Sequence, residues 1–443
     1  MSQPRLLRDG KATISCETPI PNDHAMITPL PALAAYRKDL AHLGLAAPPA
    51  SELDDRLSRW LAFAIAMERL ASSWNVGDGV DVSRSLEAAI RELTHASTAT
   101  SDLTPPAHAL AERIQPPELA DLTRRLADDA EQSGALWLAY SMLTTLERVS
   151  GELPALEAGR TLAQRARVAR KADGIEIAEA LYKRVARLGR TAGEPELIAR
   201  AAIGFGVLAQ MRGNLPAAAR RFESAVRVAG RVQNPELIRV AEHGRMTVAA
   251  SRGAFADALR HGWAAFSAAM GDREREAEML LNLAQLAFDT GHPRAALQGF
   301  TAALQRRPGP RLALPALGGA ARAAASVGRN DVVDWCAARL SEETRSEGFA
   351  YPKASALLDL ALALASAAPS QAVPIVHRAL RMTGRFGFHE LEYHLRTLEA
   401  DLERQRSIAR RETPAVVTVG ARGDEILRQI EQLDGMLVEA AGG

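Results

Sequence analysis

Few residues of this chain have the types and the spacing that catalysis or metal binding requires. The nearest approach to a zinc motif is the sequence "HELEY", which is followed by His394. In a zinc-binding HExxH helix the two histidines are four residues apart and share one face. His389 and His394 are five residues apart, which separates them by roughly 140° around a helix. We therefore interpret both as exposed helix histidines and predict no metal site.

Other catalytic patterns are also missing from the sequence. The "GFG" at 204–206 lies within a helical apolar pattern and follows no strand, so it does not match a dinucleotide-binding loop. There is no Walker motif and no GxSxG, and the ten histidines form no recognisable nucleophile–base pair. We therefore predict a protein that has no cofactor and no enzymatic activity.

The densest charge lies in residues 158–190, which carry nine basic residues and three acidic ones. Two interpretations of this segment stay open: a solvated helix face, or one wall of a binding surface. The whole chain has a net charge of +1, so bulk electrostatics favours neither nucleic acid nor an anionic membrane as the partner.

The cysteine content and the hydropathy indicate where the protein works. Cys16 and Cys336 are far apart and neither belongs to a CxxC pair, which is typical of a reducing compartment. The N-terminal residues contain no apolar segment of the signal-peptide type, and the longest apolar stretches are too short to span a bilayer. We expect a soluble, cytoplasmic protein with no membrane partner.

The elements that would position any site follow a repeat of about forty residues. Small or turn-forming residues recur 37 to 40 residues apart. Five residues after each comes an alanine or valine, and nine residues after most of them comes a large apolar side chain. A glycine can end a helix with a positive φ, and an alanine lets two helices approach closely. The turn positions are Gly134, Asp173, Gly213, Gly253, Gly291, Gly328 and Ala367.

Prolines give a second marker of the same period. Pro117, Pro154, Pro195 and Pro235 are 37 to 41 residues apart, and most are followed by glutamate. Proline followed by an acidic residue is typical of the first turn of a helix. Each unit is therefore predicted to be a pair of antiparallel helices, and each pair needs a neighbour to cover its open apolar side.

Two of these units resemble a known family. The segments 277–308 and 199–230 are similar to the tetratricopeptide repeat (TPR), with matches that include Gly291, Ala296 and Phe300. The units of this chain are longer than the basic repeat of that family, and the resemblance covers roughly 117–385. It implies an all-α fold, an α-solenoid of stacked antiparallel helix hairpins that winds as a right-handed superhelix.

The resemblance also implies a binding surface, because in such arrays the first helix of each unit lines a concave groove. Applied to this chain, that register predicts a groove that changes from acidic to basic to mixed along its length and suits an extended peptide. The predicted partner-binding residues are Asp128, Glu131, Arg160, Arg167, Arg170, Lys171, Arg200, Gln210, His243, Asn282, Gln285 and Phe288.

The ends of the chain depart from the repeat. Residues 1–50 are rich in proline and contain one short predicted helix, and 51–98 are interpreted as a divergent N-terminal helical hairpin. After the array, about seven units over 117–385, come a capping helix (386–410), a linker (411–423) and an amphipathic helix (424–443). The apolar stripe of that last helix, which docks on its own array or on a second subunit or partner, consists of Ile426, Ile430, Leu433 and Leu437.

These features favour one function over two alternatives. The main hypothesis is a non-enzymatic scaffold or adaptor that binds a partner protein or peptide in the concave groove. The first alternative is a peptide-sensing regulatory receptor that lacks a DNA-binding domain of its own. The second is a homo-oligomeric structural component that is joined through the C-terminal helix.

Overall fold

The computed structural model describes residues 116–132, 135–149, 153–345, 349–404 and 420–431. All regular secondary structure in these ranges is α-helical, so the predicted fold class is confirmed. The predicted segments 1–50 and 51–98 lie outside the described residues. The sixteen helices are α1 (Pro116–Gln132), α2 (Leu136–Val149), α3 (Ala155–Lys171), α4 (Ile175–Thr191), α5 (Pro195–Met211), α6 (Leu215–Arg231), α7 (Pro235–Ser251), α8 (Phe255–Ala269), α9 (Arg273–Asp289), α10 (Pro293–Gln305), α11 (Pro310–Ser326), α12 (Asn330–Glu343), α13 (Ala350–Ala367), α14 (Pro369–Phe386), α15 (His389–Arg404) and α16 (Gly420–Glu431).

The turns within the hairpins lie where the sequence places them. Asp173 has φ 57°, and the glycines at 213, 253, 291 and 328 have φ between 72° and 81°. This left-handed conformation ends the first helix of each pair and reverses the chain. Gly134 lies outside the described residues. Ala367 is the last residue of α13, and Ala368 after it has φ −146°, so this turn is made without a left-handed residue.

The helix starts also follow local chemistry. Pro195 and Pro235 are the first residues of α5 and α7, as the proline marker predicts. The side chain of Asn234 accepts a hydrogen bond from the backbone N–H of Leu237 at 3.1 Å, which caps α7. Asp272 caps α9 in the same way. Each cap satisfies a backbone donor that the helix leaves without a partner.

The core forms where small residues face large ones. The alanine or valine that follows each described turn by five residues is buried, as at Ala218, and the aromatic ring of Phe222 is 1% exposed. A Cβ atom added to Gly244 of the next first helix would lie 2.4 Å from that ring. Gly204 and Tyr182 form the same arrangement, with 2.3 Å. Each ring thus occupies the volume that a missing side chain leaves in the neighbouring unit.

Helices pack mainly against their neighbours in the chain, and two places depart from this pattern. First, α13 packs mainly against α11 rather than α12. Second, α16 returns along the array and packs against α8 and α10, the second helices of two consecutive units. None of the helices in the described part of the chain is both long and apolar enough to cross a membrane. The right-handed superhelical sense stays a prediction.

The boundaries of the last elements differ from the sequence interpretation. The helix predicted within 386–410 is α15, His389–Arg404. The predicted linker 411–423 extends too far, because α16 begins at Gly420. The sequence "GARG" has the composition of a linker, but Gly423 is buried in the docked helix, where a small residue permits close packing.

Candidate protein-binding groove

The first helices of four consecutive units share one depression, which we call the groove. It has a volume of about 490 Å³ and is lined by residues of α1, α3, α5 and α7, with Tyr182 of α4 below. Four predicted partner-binding residues line it: Asp128, Arg160, Arg167 and Arg200. Residues from successive first helices therefore lie on one shared surface, as the repeat register predicts.

The floor of the groove is apolar. Ile203 of α5 and Leu237 and Val240 of α7 belong to its lining. Leu237 is part of the hydrophobic core, whereas Val240 is half-buried and belongs to none of the core clusters. Gly204 contributes no side chain, and so Tyr182 reaches the surface of the depression from the other side of α5.

Charged side chains around the groove form an alternating row, which we call the charge ladder. It begins and ends with arginine, and each carboxylate in it lies between two arginines. The row crosses from α1 through α3 to α5 and therefore joins neighbouring units. In order, its members are Arg125, Asp121, Arg124, Glu157, Arg160, Glu196 and Arg200.

Glu196 is the node between α3 and α5. Arg160 donates to its carboxylate from Nε and from Nη2, each at 2.7 Å. Arg200 donates from its Nε at 2.9 Å. Burial by itself would raise the pKa of Glu196, but the hydrogen bond from Arg160 and the charge of Arg200 lower that pKa to about 2. The hydrogen bond that Arg160 donates to Glu196 raises the pKa of Arg160.

A second cluster joins α1 to α3. Asp128 and Arg167 of this cluster line the groove. The other two predicted members, Glu131 and Lys171, do not belong to the lining. The buried carboxylate of Glu131 accepts from Arg167 at 2.7 Å and pairs with Lys171 at 2.7 Å. Arg167 also pairs with Asp128 at 2.5 Å. Burial would lower the pKa of Arg167, but the charges of Glu131 and Asp128 raise it. The predicted acidic and basic zones thus neutralise each other across the unit boundary.

Arg170 points away from this surface. It does not belong to the groove lining, and its buried Nε has no hydrogen-bond partner among the described residues. Its guanidinium instead interacts with the buried hydroxyl of Tyr182, whose pKa is raised by burial. The register predicts Arg170 as a groove residue, but the structure places it outside the lining, about one helical turn from Arg167.

None of the remaining predicted residues lines the groove. Gln210 and His243 lie on α5 and α7 but outside the lining, and the other three lie further along the array on α9. Gln210 accepts a hydrogen bond from Thr247 at 3.3 Å, and burial lowers the pKa of His243. Gln285 donates to Asp289 at 2.7 Å, and Asn282 is half-buried on the same helix, α9.

Phe288 lies beneath the guanidinium of Arg322, which is 4.7 Å from the ring centroid. Arg322 also pairs with Asp359 at 3.0 Å, and these contacts join α9, α11 and α13. Burial raises the pKa of Asp359, although the positive charge of Arg322 partly opposes this shift. Inter-unit ion pairing therefore continues beyond the groove.

The C-terminal helix docks on the protein's own array. Ile426 and Ile430 of α16 are 6% and 0% exposed, and Leu427 is buried beside them. These side chains belong to the helix that packs against α8 and α10 of the same chain. Leu433 and Leu437 lie outside the described residues.

The surface on which α16 packs carries a sequence pattern that the repeat analysis did not consider. Ala295, Gly299 and Ala302 of α10 are small and buried, although the corresponding residues of α6 are not buried, and Arg221 is exposed there. A Cβ atom added to Gly299 would lie 3.3 Å from Ile430. An extra stripe of small residues on one second helix therefore marks the place where another helix packs.

No group of histidine, cysteine and carboxylate side chains in the described ranges could hold a metal ion. His389 begins α15, and no ligand set forms around it or around His394. Cys336 is buried, which raises the pKa of its thiol to about 12. A thiol with such a pKa is not a reactive nucleophile at neutral pH.

Several solved structures are similar to this chain at low sequence identity. BtubC (BKLC) from P. vanneervenii is 14% identical, with a TM-score of 0.36 over 54% of this chain and 91% of that chain. The apo form of RapI is 11% identical, with a TM-score of 0.36 over 79% and 98%. A Rap protein complexed with competence and sporulation factor is 11% identical, with a TM-score of 0.43 over 81% and 100%.

No family model matches the chain. No curated protein matches it in sequence.

Proposed function

We propose that this protein is a non-enzymatic scaffold that binds an extended segment of a partner protein in the groove. One observation carries the proposal: four consecutive first helices form a single depression with an apolar floor and rims of fixed charge. Such a surface offers apolar contacts and hydrogen-bonding groups that are already held in place, which lowers the entropic cost of binding.

The ion pairs support this function by fixing the groove. Because the charge ladder joins α1, α3 and α5, its side chains have lost much of their rotamer freedom before a partner arrives. We further assign the array to the tetratricopeptide type, on the positions of Gly213, Ala218 and Phe222 in the hairpins. We expect the protein to act in the cytoplasm.

The experiment perturbs the floor rather than the ladder. Val240 lines the groove but belongs to none of the core clusters, so Val240→Glu places a charge in the groove with little effect on folding. Val373→Glu is the matched control, because Val373 of α14 is an exposed valine outside the groove. Circular dichroism and the melting temperature establish that both variants are folded.

Partners are captured in the native cell with a photo-crosslinking residue at position 240, and then again at position 373. Peptides that tile each captured partner are titrated against the purified protein. We expect a linear segment that binds the parent and the Val373→Glu variant and is lost from Val240→Glu. A partner segment that binds both variants equally well would remove the groove from the proposal.

A further inference from the structure

The two ends of the charge ladder are not equivalent. Each internal arginine lies between two carboxylates, whereas Arg125 and Arg200 have one each. The ladder contains four arginines and three carboxylates, so its surplus positive charge resides at its ends. Any anion attracted to this row is therefore attracted to one of the two terminal arginines.

Of the two terminal arginines, Arg200 is better placed to bind an anion. Its side chain is 29% exposed, against 59% for Arg125. A partly buried charge is less screened by water and interacts more strongly with a counter-ion. Arg200 also lies in the groove lining beside the apolar floor of Ile203, Leu237 and Val240.

The guanidinium of Arg200 is held in position, but not all of its N–H donors are used. Its Nε donates to Glu196, which is itself held by two hydrogen bonds from Arg160. The two Nη groups of Arg200 have no protein partner among the described residues. A guanidinium whose position is fixed and whose terminal donors are open can accept a carboxylate in a bidentate geometry.

The acidic residue that α7 contributes to the groove lining does not neutralise Arg200. Glu236 also lines the groove, but it accepts two hydrogen bonds from Arg239, each at 2.8 Å. Arg239 interacts in turn with Glu278 at 3.2 Å. The negative charge of Glu236 is therefore compensated on its own helix, and the donors of Arg200 remain available to a ligand.

From this arrangement we propose that the groove selects peptides in which a carboxylate lies next to an aliphatic side chain. The carboxylate binds the Nη groups of Arg200, and the aliphatic side chain contacts Ile203 and Val240. This specificity rests on the proposed peptide-binding function. The carboxylate is that of an aspartate or glutamate side chain, or the C-terminus of the peptide.

The probes are two libraries of random heptapeptides. One is acetylated and amidated, so that only side chains carry charge, and the other has a free C-terminal carboxylate. Bound peptides are identified by affinity selection and mass spectrometry on the intact chain, and Kd values are then measured by fluorescence anisotropy. The variants are Arg200→Gln and, as the matched control, Arg125→Gln. Each variant removes one end of the same ladder.

We expect the selected peptides to share an acidic residue or a free C-terminus beside an aliphatic residue. Their Kd should rise tenfold or more in Arg200→Gln, because a hydrogen-bonded charge pair is lost from a partly desolvated site. In Arg125→Gln it should stay within about twofold, as for an exposed ion pair. Enrichment in one library rather than the other identifies which carboxylate is bound.

Two negative results have different meanings. In the first case, peptides bind to the parent and lose binding in Val240→Glu, but they show no preference for a carboxylate or no response to Arg200→Gln. This result would overturn the specificity and leave the scaffold function intact. If neither library yields a peptide that Val240→Glu blocks, both the groove function and the specificity built on it are refuted.

Discussion

The ion pair between Arg160 and Glu196 should stabilise the junction between two units more than an ordinary surface pair does. It joins α3 to α5 across 36 residues of sequence through two hydrogen bonds of 2.7 Å. The perturbation is a double-mutant cycle with Arg160→Met, Glu196→Gln and the double variant. The matched cycle uses Arg212, the residue directly after α5, and Glu179 of α4, which form an ion pair at 2.5 Å.

The magnitude follows from exposure and geometry. The side chains of Arg160 and Glu196 are 31% and 13% exposed, whereas those of Arg212 and Glu179 are 52% and 26% exposed. Exposed pairs contribute about 0–1 kcal/mol, and breaking a buried pair costs about 3–5 kcal/mol. For the partly buried bidentate pair we expect a coupling free energy of about 1–2 kcal/mol, and about 0.5 kcal/mol or less for the control.

The single change Glu196→Gln should cost more than this coupling, about 2–3 kcal/mol. The glutamine leaves Arg160 and Arg200 without their shared carboxylate, and it weakens the contact of 3.5 Å with Asn234. The same logic predicts a smaller cost for Arg160→Met, because Arg200 still compensates Glu196 in that variant.

Native-state hydrogen exchange is the appropriate assay, because units of a repeat array open locally. The opening free energies of amides in α3 and α5 are compared among the parent, the two single variants and the double variant. A coupling no larger than that of the control cycle would refute the reasoning that bidentate geometry and partial burial strengthen this pair.

Three further predictions concern the core, the docked helix and the dependence on pH. Ile430→Ala should weaken docking of α16 by about 2–4 kcal/mol, seen as faster exchange and proteolysis of α16 while α3 to α7 stay unchanged. Gly204→Ala should lower the melting temperature, because the new Cβ would lie 2.3 Å from Tyr182, at a cost of about 1–3 kcal/mol. Gly230→Ala should be neutral or stabilising, since nothing lies within 4 Å of its Cβ position, and equal effects of the two changes would contradict this packing. The folded-state pKa of Glu196, about 2, lies below its ordinary value of 4.5, so its stabilisation of roughly 2–3 kcal/mol is present above pH 4.5 and is lost as the pH falls towards 2. An acid titration of stability should show this loss in the parent and a smaller one in Glu196→Gln, and identical curves would contradict it.

Local features made the architecture predictable. A residue that ends a helix with a positive φ and an alanine at a helix crossing act within one hairpin, so Gly213, Gly253 and Ala218 could be placed from their spacing. The exception is Ala367, where the chain turns after one more residue without a left-handed conformation. This boundary also has a local cause, because Ala368 precedes Pro369 and the residue before a proline disfavours the helical conformation.

The sequence predicted the positions of several groove-lining residues but not the ion pairs that they form. The register placed Arg160, Arg167 and Arg200 on one face, and the structure brings all three into the groove. The register did not show that carboxylates largely neutralise these charges. The partners of Arg160 and Arg167 are 36 residues away, and the partner of Arg200 lies on an adjacent turn of its own helix. A base and an acid that are about one repeat apart are a usable signal for such pairs, since that separation places them on adjacent units.

The sequence by itself determined the repeat length, the helix pairs and the small residues at their crossings, because each depends on backbone conformation and close packing over a few turns. The tertiary structure alone decided which arginine keeps open donors and where α16 docks. Both depend on distances between side chains of different units, and those distances are set only when the units stack.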